Sequence, residues 1–230
     1  MGGDGTDLFI AVEDAFQIHF TDEEARDAYT VGALYDLVVA KLDGPCSKRC
    51  LTSWAFYRTR RGIVETLGID RRQIRPATPL EDLLPRDGRR ENWRRIQAAM
   101  KLKLPDLQHP AWLHLSLMAA CAGLTLALAI YHQLGLGWIL LSLLPAPLVG
   151  TFLILLFPYQ AVVFPNSEAT VGDLARDVLA LNHARLVDEI EGWNRKDAWE
   201  ALCGVIAMET FVGREKITAE SSFVDDLGIE

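Results

Sequence analysis

Residues 111–165 contain no Asp, Glu, Lys or Arg, and within them lie two long apolar segments, 111–132 and 138–157. They read AWLHLSLMAACAGLTLALAIYH and WILLSLLPAPLVGTFLILLF. A helix needs about 20 residues to cross the hydrocarbon of a bilayer, so each is long enough to span it. A chain of 230 residues is too small to bury two such helices on every side in a soluble core. Gln133 to Gly137 connect them, which allows a tight hairpin. Trp112, Tyr131, Trp138 and Tyr159 mark the ends, as aromatics do at a membrane interface. Pro145 and Pro147 should kink the second helix and free carbonyls that need other partners.

Charge sets the expected orientation. The formal net charge of -8 is unevenly distributed. Residues 1–42 carry nine acids and two bases, residues 43–110 eight acids and fifteen bases, and residues 166–230 fourteen acids and six bases. Arg86, Arg89, Arg90, Arg94, Arg95, Lys101 and Lys103 precede the first apolar segment, and the turn has no charge. Basic flanks stay cytoplasmic, so the expectation is a cell (inner) membrane protein with two spans and both termini in the cytoplasm. The same bases either set topology alone or also rest on anionic headgroups. No nucleic-acid partner is expected. Met1 leads into an acidic amphipathic stretch, so no cleavable signal peptide is expected. Cys46 and Cys50 stand close, but no second Cys/His pair has zinc spacing, and no metal is expected.

Outside the apolar segments the periodicity is helical. Leu8, Ile10, Ala11, Val12, Ala15, Phe16 and Ile18 form a stripe behind Asp4 and Thr6. Thr21-Asp-Glu-Glu reads as an N-cap with a short helix behind it, and Thr30 caps another. Leu51 to Leu67 is amphipathic and closed by Gly68 as a C-cap. Residues 69–85 look irregular, 92–102 helical, 194–211 helical, and 213–230 an extended loop. No strand pattern stands out, so the expected fold class is all-α.

An internal repeat runs through these elements. Segment 30–84 reads TVGxL, a linker, a Trp/Phe-bearing helix, then I-x-P-x-T-P-L-E-D-L-L. Segment 170–227 reads TVGDL, a linker, a similar helix, then I-T-A-E-S-S-F-V-D-D-L.

These pieces resemble the acyl carrier protein family. Ser222-Phe-Val-Asp-Asp-Leu-Gly228 is similar to the phrase that ends the family's long first loop. Gly3-Asp4-Gly5-Thr6-Asp7 followed by AVEDAF resembles the start of its second helix, and Thr30-Val-Gly-Ala-Leu34 its fourth. The resemblance implies four-helix carrier modules in permuted order. Residues 1–42 would be the second half of a module and 194–230 its first half. Residues 43–105 and 166–182 would make another, with the transmembrane hairpin inserted. Pairing would bury the apolar stripe of each arm, within one chain or in a swapped homodimer.

Family carriers attach phosphopantetheine to a serine after the aspartate, where this chain has Gly5 after Asp4. Gly88 likewise follows Asp87 in the middle module. Glycine supplies no nucleophile, so no bound cofactor is expected. Thr6, Ser221 and Ser222 are nearby hydroxyls. The resemblance therefore implies a non-catalytic membrane adaptor in lipid metabolism. Its Glu13, Asp14, Glu23 and Glu24 would meet an acyl-processing enzyme or a carrier. The alternative is a membrane-tethered carrier modified at a non-standard hydroxyl, in lipid or polyketide-like synthesis. No Ser/His/Asp order, phosphate loop or paired metal ligands point to an enzyme, and His19, His109, His114, His132 and His183 are scattered.

Overall fold

The computed structural model describes residues 5–108, 162–164 and 169–229, with 115–117, 119–120, 122–123 and 127 between them. The regular structure of the described residues is all-α, and extended pairing is limited there to isolated bridges. Among the described residues no helix is long and apolar enough to cross a membrane. The proposed hairpin falls largely outside them: 138–157 entirely, and 111–132 except for the few helical positions just given.

Nine α-helices are described: α1 Gly5–Phe16, α2 Asp22–Asp27, α3 Val31–Lys41, α4 Leu51–Leu67, α5 Leu80–Leu83, α6 Arg89–Met100, α7 Val171–Leu181, α8 His183–Ile190 and α9 Arg195–Thr210. Two 3₁₀ turns, Arg71–Gln73 and Arg214–Lys216, lie in the loops after α4 and α9. The irregular stretches anticipated at 69–85 and 213–230 therefore carry short helical turns, too brief for periodicity to reveal. The chain divides into two compact units. Residues 1–83, 92–105 and 168–230 form the first, and 84–91 with 106–167 the second. The piece read as 43–105 is thus interrupted at 84–91.

In the first unit the helix starts follow directly from side-chain chemistry. The orphan amides of a first turn need acceptors. Thr21 and Glu24 form a reciprocal capping box on α2, and Thr170 with Asp173 does the same on α7. Thr30 accepts from the Ala33 amide at 3.2 Å, and Asn194 from the Asp197 amide at 2.8 Å. The core then assembles on α7, which packs against both α4 and α9. Val171, Leu174, Ala175, Val178, Leu179 and Ala180 are all buried, so this helix is apolar on more than one face. α1 lies against α9, and α8 bridges α1 and α4. α6 closes on α4 through Ile96 and Met100, and a Cβ on Gly62 would run into the Met100 side chain.

The second unit, as far as described, centres on Arg89. Its Nε donates to the Leu84 carbonyl at 2.8 Å and Nη1 to that of Val162 at 2.7 Å. The guanidinium lies 4.2 Å from the centroid of the Phe164 ring. A buried cation is tolerable because carbonyl dipoles and a π-face replace water. Gln108 and Val163 exchange antiparallel backbone bonds of 2.7 and 3.0 Å.

Candidate functional site

The candidate site begins where the TVG segments start their helices. Val31 donates to the Ser221 carbonyl, Gly32 to that of Ala219, and Phe223 to that of Tyr29, at 3.1, 2.9 and 3.3 Å. The other copy is built alike: Val171 donates to Thr78, Gly172 to Pro76, and Leu80 to Ala169, at 2.9, 2.8 and 3.0 Å. In both loops a hydroxyl folds back on an amide, Ser221 on Thr218 at 3.0 Å and Thr78 on Arg75 at 2.9 Å. The glycines have a packing reason. A Cβ on Gly32 would stand 2.8 Å from the Ala219 oxygen, and one on Gly172 3.0 Å from that of Pro76.

The pairing is crossed. The N-terminal TVG is clamped by the C-terminal loop, and the second TVG by the loop of the central segment. The rest of the repeat follows the same register. α4 and α9 both end in a left-handed residue, Gly68 at φ 67° and Phe211 at φ 59°, and both lead into a 3₁₀ turn. A left-handed phenylalanine that is also 76 % exposed is uncommon.

Around this clamp α1 exposes one stripe. Gly5 is its first residue, followed on the outer face by Thr6, Asp7, Ile10 and Asp14, while Leu8, Val12, Ala15 and Phe16 are buried. Ile10 is 52 % exposed, and Val224 in the adjoining loop 65 %. Phe9 meets Phe20 edge-on at 5.6 Å and Phe223 at 6.4 Å, which seats the loop beside α1. Burial, and then the charge of Asp7, raise the Glu209 carboxyl above its usual range, so the start of α1 and the end of α9 share one electrostatic neighbourhood.

The four acids singled out from the sequence have different employments. Glu13 accepts the Phe20 amide at 2.6 Å and lies 3.7 Å from His19. Glu24 closes the α2 capping box and pairs with Lys41 at 2.9 Å; the Thr21 backbone bond, then Lys41, hold it below the usual carboxylate range. Asp14, its side chain 70 % exposed, reaches Lys103 at 3.5 Å. Glu23 is exposed in the first turn of α2. Asp14 and Glu23 are therefore the ones that face solvent, whereas Glu13 and Glu24 help to shape the arm.

The hydroxyls are equally uneven. Ser221 is buried and bound to the Thr218 amide, and the Ser222 hydroxyl accepts from the Asp225 amide at 3.2 Å. Thr6 is exposed on the first turn of α1. Cys46 and Cys50 are exposed, Cys203 is buried, and no group of three or more metal-binding side chains is found among the described residues.

Two features escaped the sequence reading. The first is α8, placed there within a linker. Its signal was the spacing of His183, Leu186 and Ile190, all buried on one face. The second is Asp197, buried at the start of α9. Its carboxylate accepts from the Leu51 amide at 2.6 Å and from the Thr52 hydroxyl at 2.8 Å. Cys50 offers α4 no side-chain cap, so Asp197 caps it from across the core. No local spacing announces such a contact.

Compared with protein-family models, with curated proteins and with solved structures, the chain finds no match.

Proposed function

We propose that the chain is a non-catalytic adaptor with acyl-carrier-like modules, held at the cytoplasmic face of the cell membrane by the apolar hairpin 111–157. The observation that carries this reading is the crossed clamp. The Thr30 segment held by the 219–223 loop, and α1 laid against α9, fit a permuted bundle made of the two chain ends. The order α9, loop, α1, α2, α3 corresponds to the four helices of a carrier and its long first loop. The glycine at the head of α1 and the engaged hydroxyls of Ser221 and Ser222 favour an adaptor over a loaded carrier. Its solvent-facing acids on α1 and α2 would meet a basic patch on an acyl-processing enzyme through charge complementarity.

The test is binding of the full chain to a carrier-recognising enzyme such as a phosphopantetheinyl transferase or an acyltransferase. Asp14→Lys with Glu23→Lys, the two solvent-facing acids, is expected to weaken binding about tenfold or more. Unchanged binding would remove the proposal. A second reading rests on exposed Thr6: a membrane-tethered carrier modified at that hydroxyl. Intact mass after incubation with a phosphopantetheinyl transferase and coenzyme A decides it, since a gain of one phosphopantetheine would replace the adaptor. The membrane anchor is tested separately by resistance to alkaline carbonate extraction, which deletion of 111–157 should abolish.

A further inference from the structure

The two copies of the repeat provide a comparison inside one molecule. Matching the loop hydrogen bonds aligns α4 with α9, so that Ala55, Thr59, Gly62 and Ile63 correspond to Ala198, Leu202, Val205 and Ile206. All eight are buried. This is the face each helix must hide to form its own module.

The other face differs. On α9, Cys203 and Gly204 are buried as well, and α7 lies over Gly204: a Cβ there would meet the Ala180 side chain. That covering helix brings a carboxylate, and Asp177 pairs with Arg214 of the adjoining 3₁₀ turn at 2.5 Å. On α4 the corresponding residues are Arg60 and Arg61, with Tyr57 beside them and Arg71 in place of Arg214. Tyr57 is 53 % exposed, Arg61 and Arg71 are exposed, and no carboxylate pairs with Arg60, Arg61 or Arg71 among the described residues. Arg60 is held over the rings of Phe56 and Tyr57, 5.3 and 4.9 Å from their centroids, which fixes its guanidinium at the surface. The fold does not demand this basic surface. Residues 51–75 carry six arginines and two acids, whereas the matching 194–218 carries four bases and four acids.

We propose that this open face of α4 docks an acidic amphipathic helix of a partner protein, lying on α4 as α7 lies on α9, with a carboxylate on Arg71 where Asp177 meets Arg214. The inference deepens the adaptor reading and rests on it: the solvent-facing acids on α1 and α2 would take a basic enzyme, and the basic face of α4 an acidic helical protein such as a carrier. Exposed aromatics and arginines together form the composition of interface centres, and their charge selects the partner's sign.

The experiment uses the full chain in neutral detergent and a purified acyl carrier protein as the probe, with binding followed by calorimetry at low and high salt. Binding is expected at low salt, weakened at least tenfold by Arg60→Glu with Arg61→Glu and by Arg71→Glu alone. Asp14→Lys with Glu23→Lys should leave it unchanged. Arg60→Gln with Arg61→Gln, a milder change, should weaken it less, and melting curves establish that each variant folds. Carrier binding that ignores the arginine substitutions overturns the proposal. So does failure to bind the carrier while the same arginines hold the chain to phosphatidylglycerol vesicles, since the occupant would then be lipid. Enzyme docking lost on the Asp14 and Glu23 reversals reports on the adaptor, and carrier docking lost on the arginine reversals reports on this face.

Discussion

Gly32 shows how one atom can fix a sequence phrase. Its amide donates to Ala219 while its missing Cβ leaves room for the same carbonyl. Gly32→Ala forces oxygen and methyl to 2.8 Å, so the loop must retreat and the hydrogen bond weaken. The expected cost is about 1–3 kcal/mol, read as a lower melting temperature. Gly172→Ala, with 3.0 Å available, should cost less.

His183 illustrates the opposite case, a polar residue placed in the core. It is fully buried, its ring lies 4.4 Å from that of Phe16, and neither ring nitrogen has a hydrogen-bond partner. Burial pushes its pKa from 6.5 down to about 4, with Asp197 pulling the other way. The unfolded chain therefore takes up this proton first as pH falls. The contribution to stability is complete above about pH 6.5 and is lost on acidification toward pH 4, amounting to at most about 3 kcal/mol. His183→Phe should flatten the pH dependence of the denaturation midpoint across that window. An unchanged slope would mean that other groups set it.

At the scale of elements, helices that cap themselves contrast with one that does not. α2, α3, α7 and α9 carry their N-cap side chains in sequence, and those of α2 and α3 were legible as Thr21 ahead of an acidic first turn and Thr30 ahead of an apolar run. α4 instead depends on Asp197, a residue 146 positions away from the amide it accepts. Asp197→Ala leaves the Leu51 amide and the Thr52 hydroxyl without that acceptor. The expected loss is about 2 kcal/mol, measured by urea denaturation, while Asp197→Asn should retain part of it. Thr30→Ala removes one local cap bond and should cost about 1 kcal/mol, the smaller figure that separates a local cap from a tertiary one.

At the scale of the molecule, the crossed pairing makes a prediction about cooperativity. Deleting 218–230 removes the acceptors of Val31 and Gly32 but not those of Val171 and Gly172. Amide hydrogen exchange should accelerate at 31 and 32 and remain slow at 171 and 172. Equal loss at both sites would mean that the two clamps melt as one.

The sequence by itself determined the helical class, the limits of α4 and α9 to within a residue or two, and the existence of two related halves. These rest on apolar spacing and on caps that act within a turn, where neighbours in sequence are neighbours in space. It also supplied Glu13, Asp14, Glu23 and Glu24 as candidate contacts. Tertiary structure decided which of them face solvent, because the Phe20 amide and Lys41 that occupy Glu13 and Glu24 are brought to them by chain reversals. It alone settled that Asp197 caps α4 and that α7 covers α9 but leaves the matching face of α4 open. Those arrangements depend on which distant helices share the core, and a residue's identity does not encode the partner that folding brings beside it.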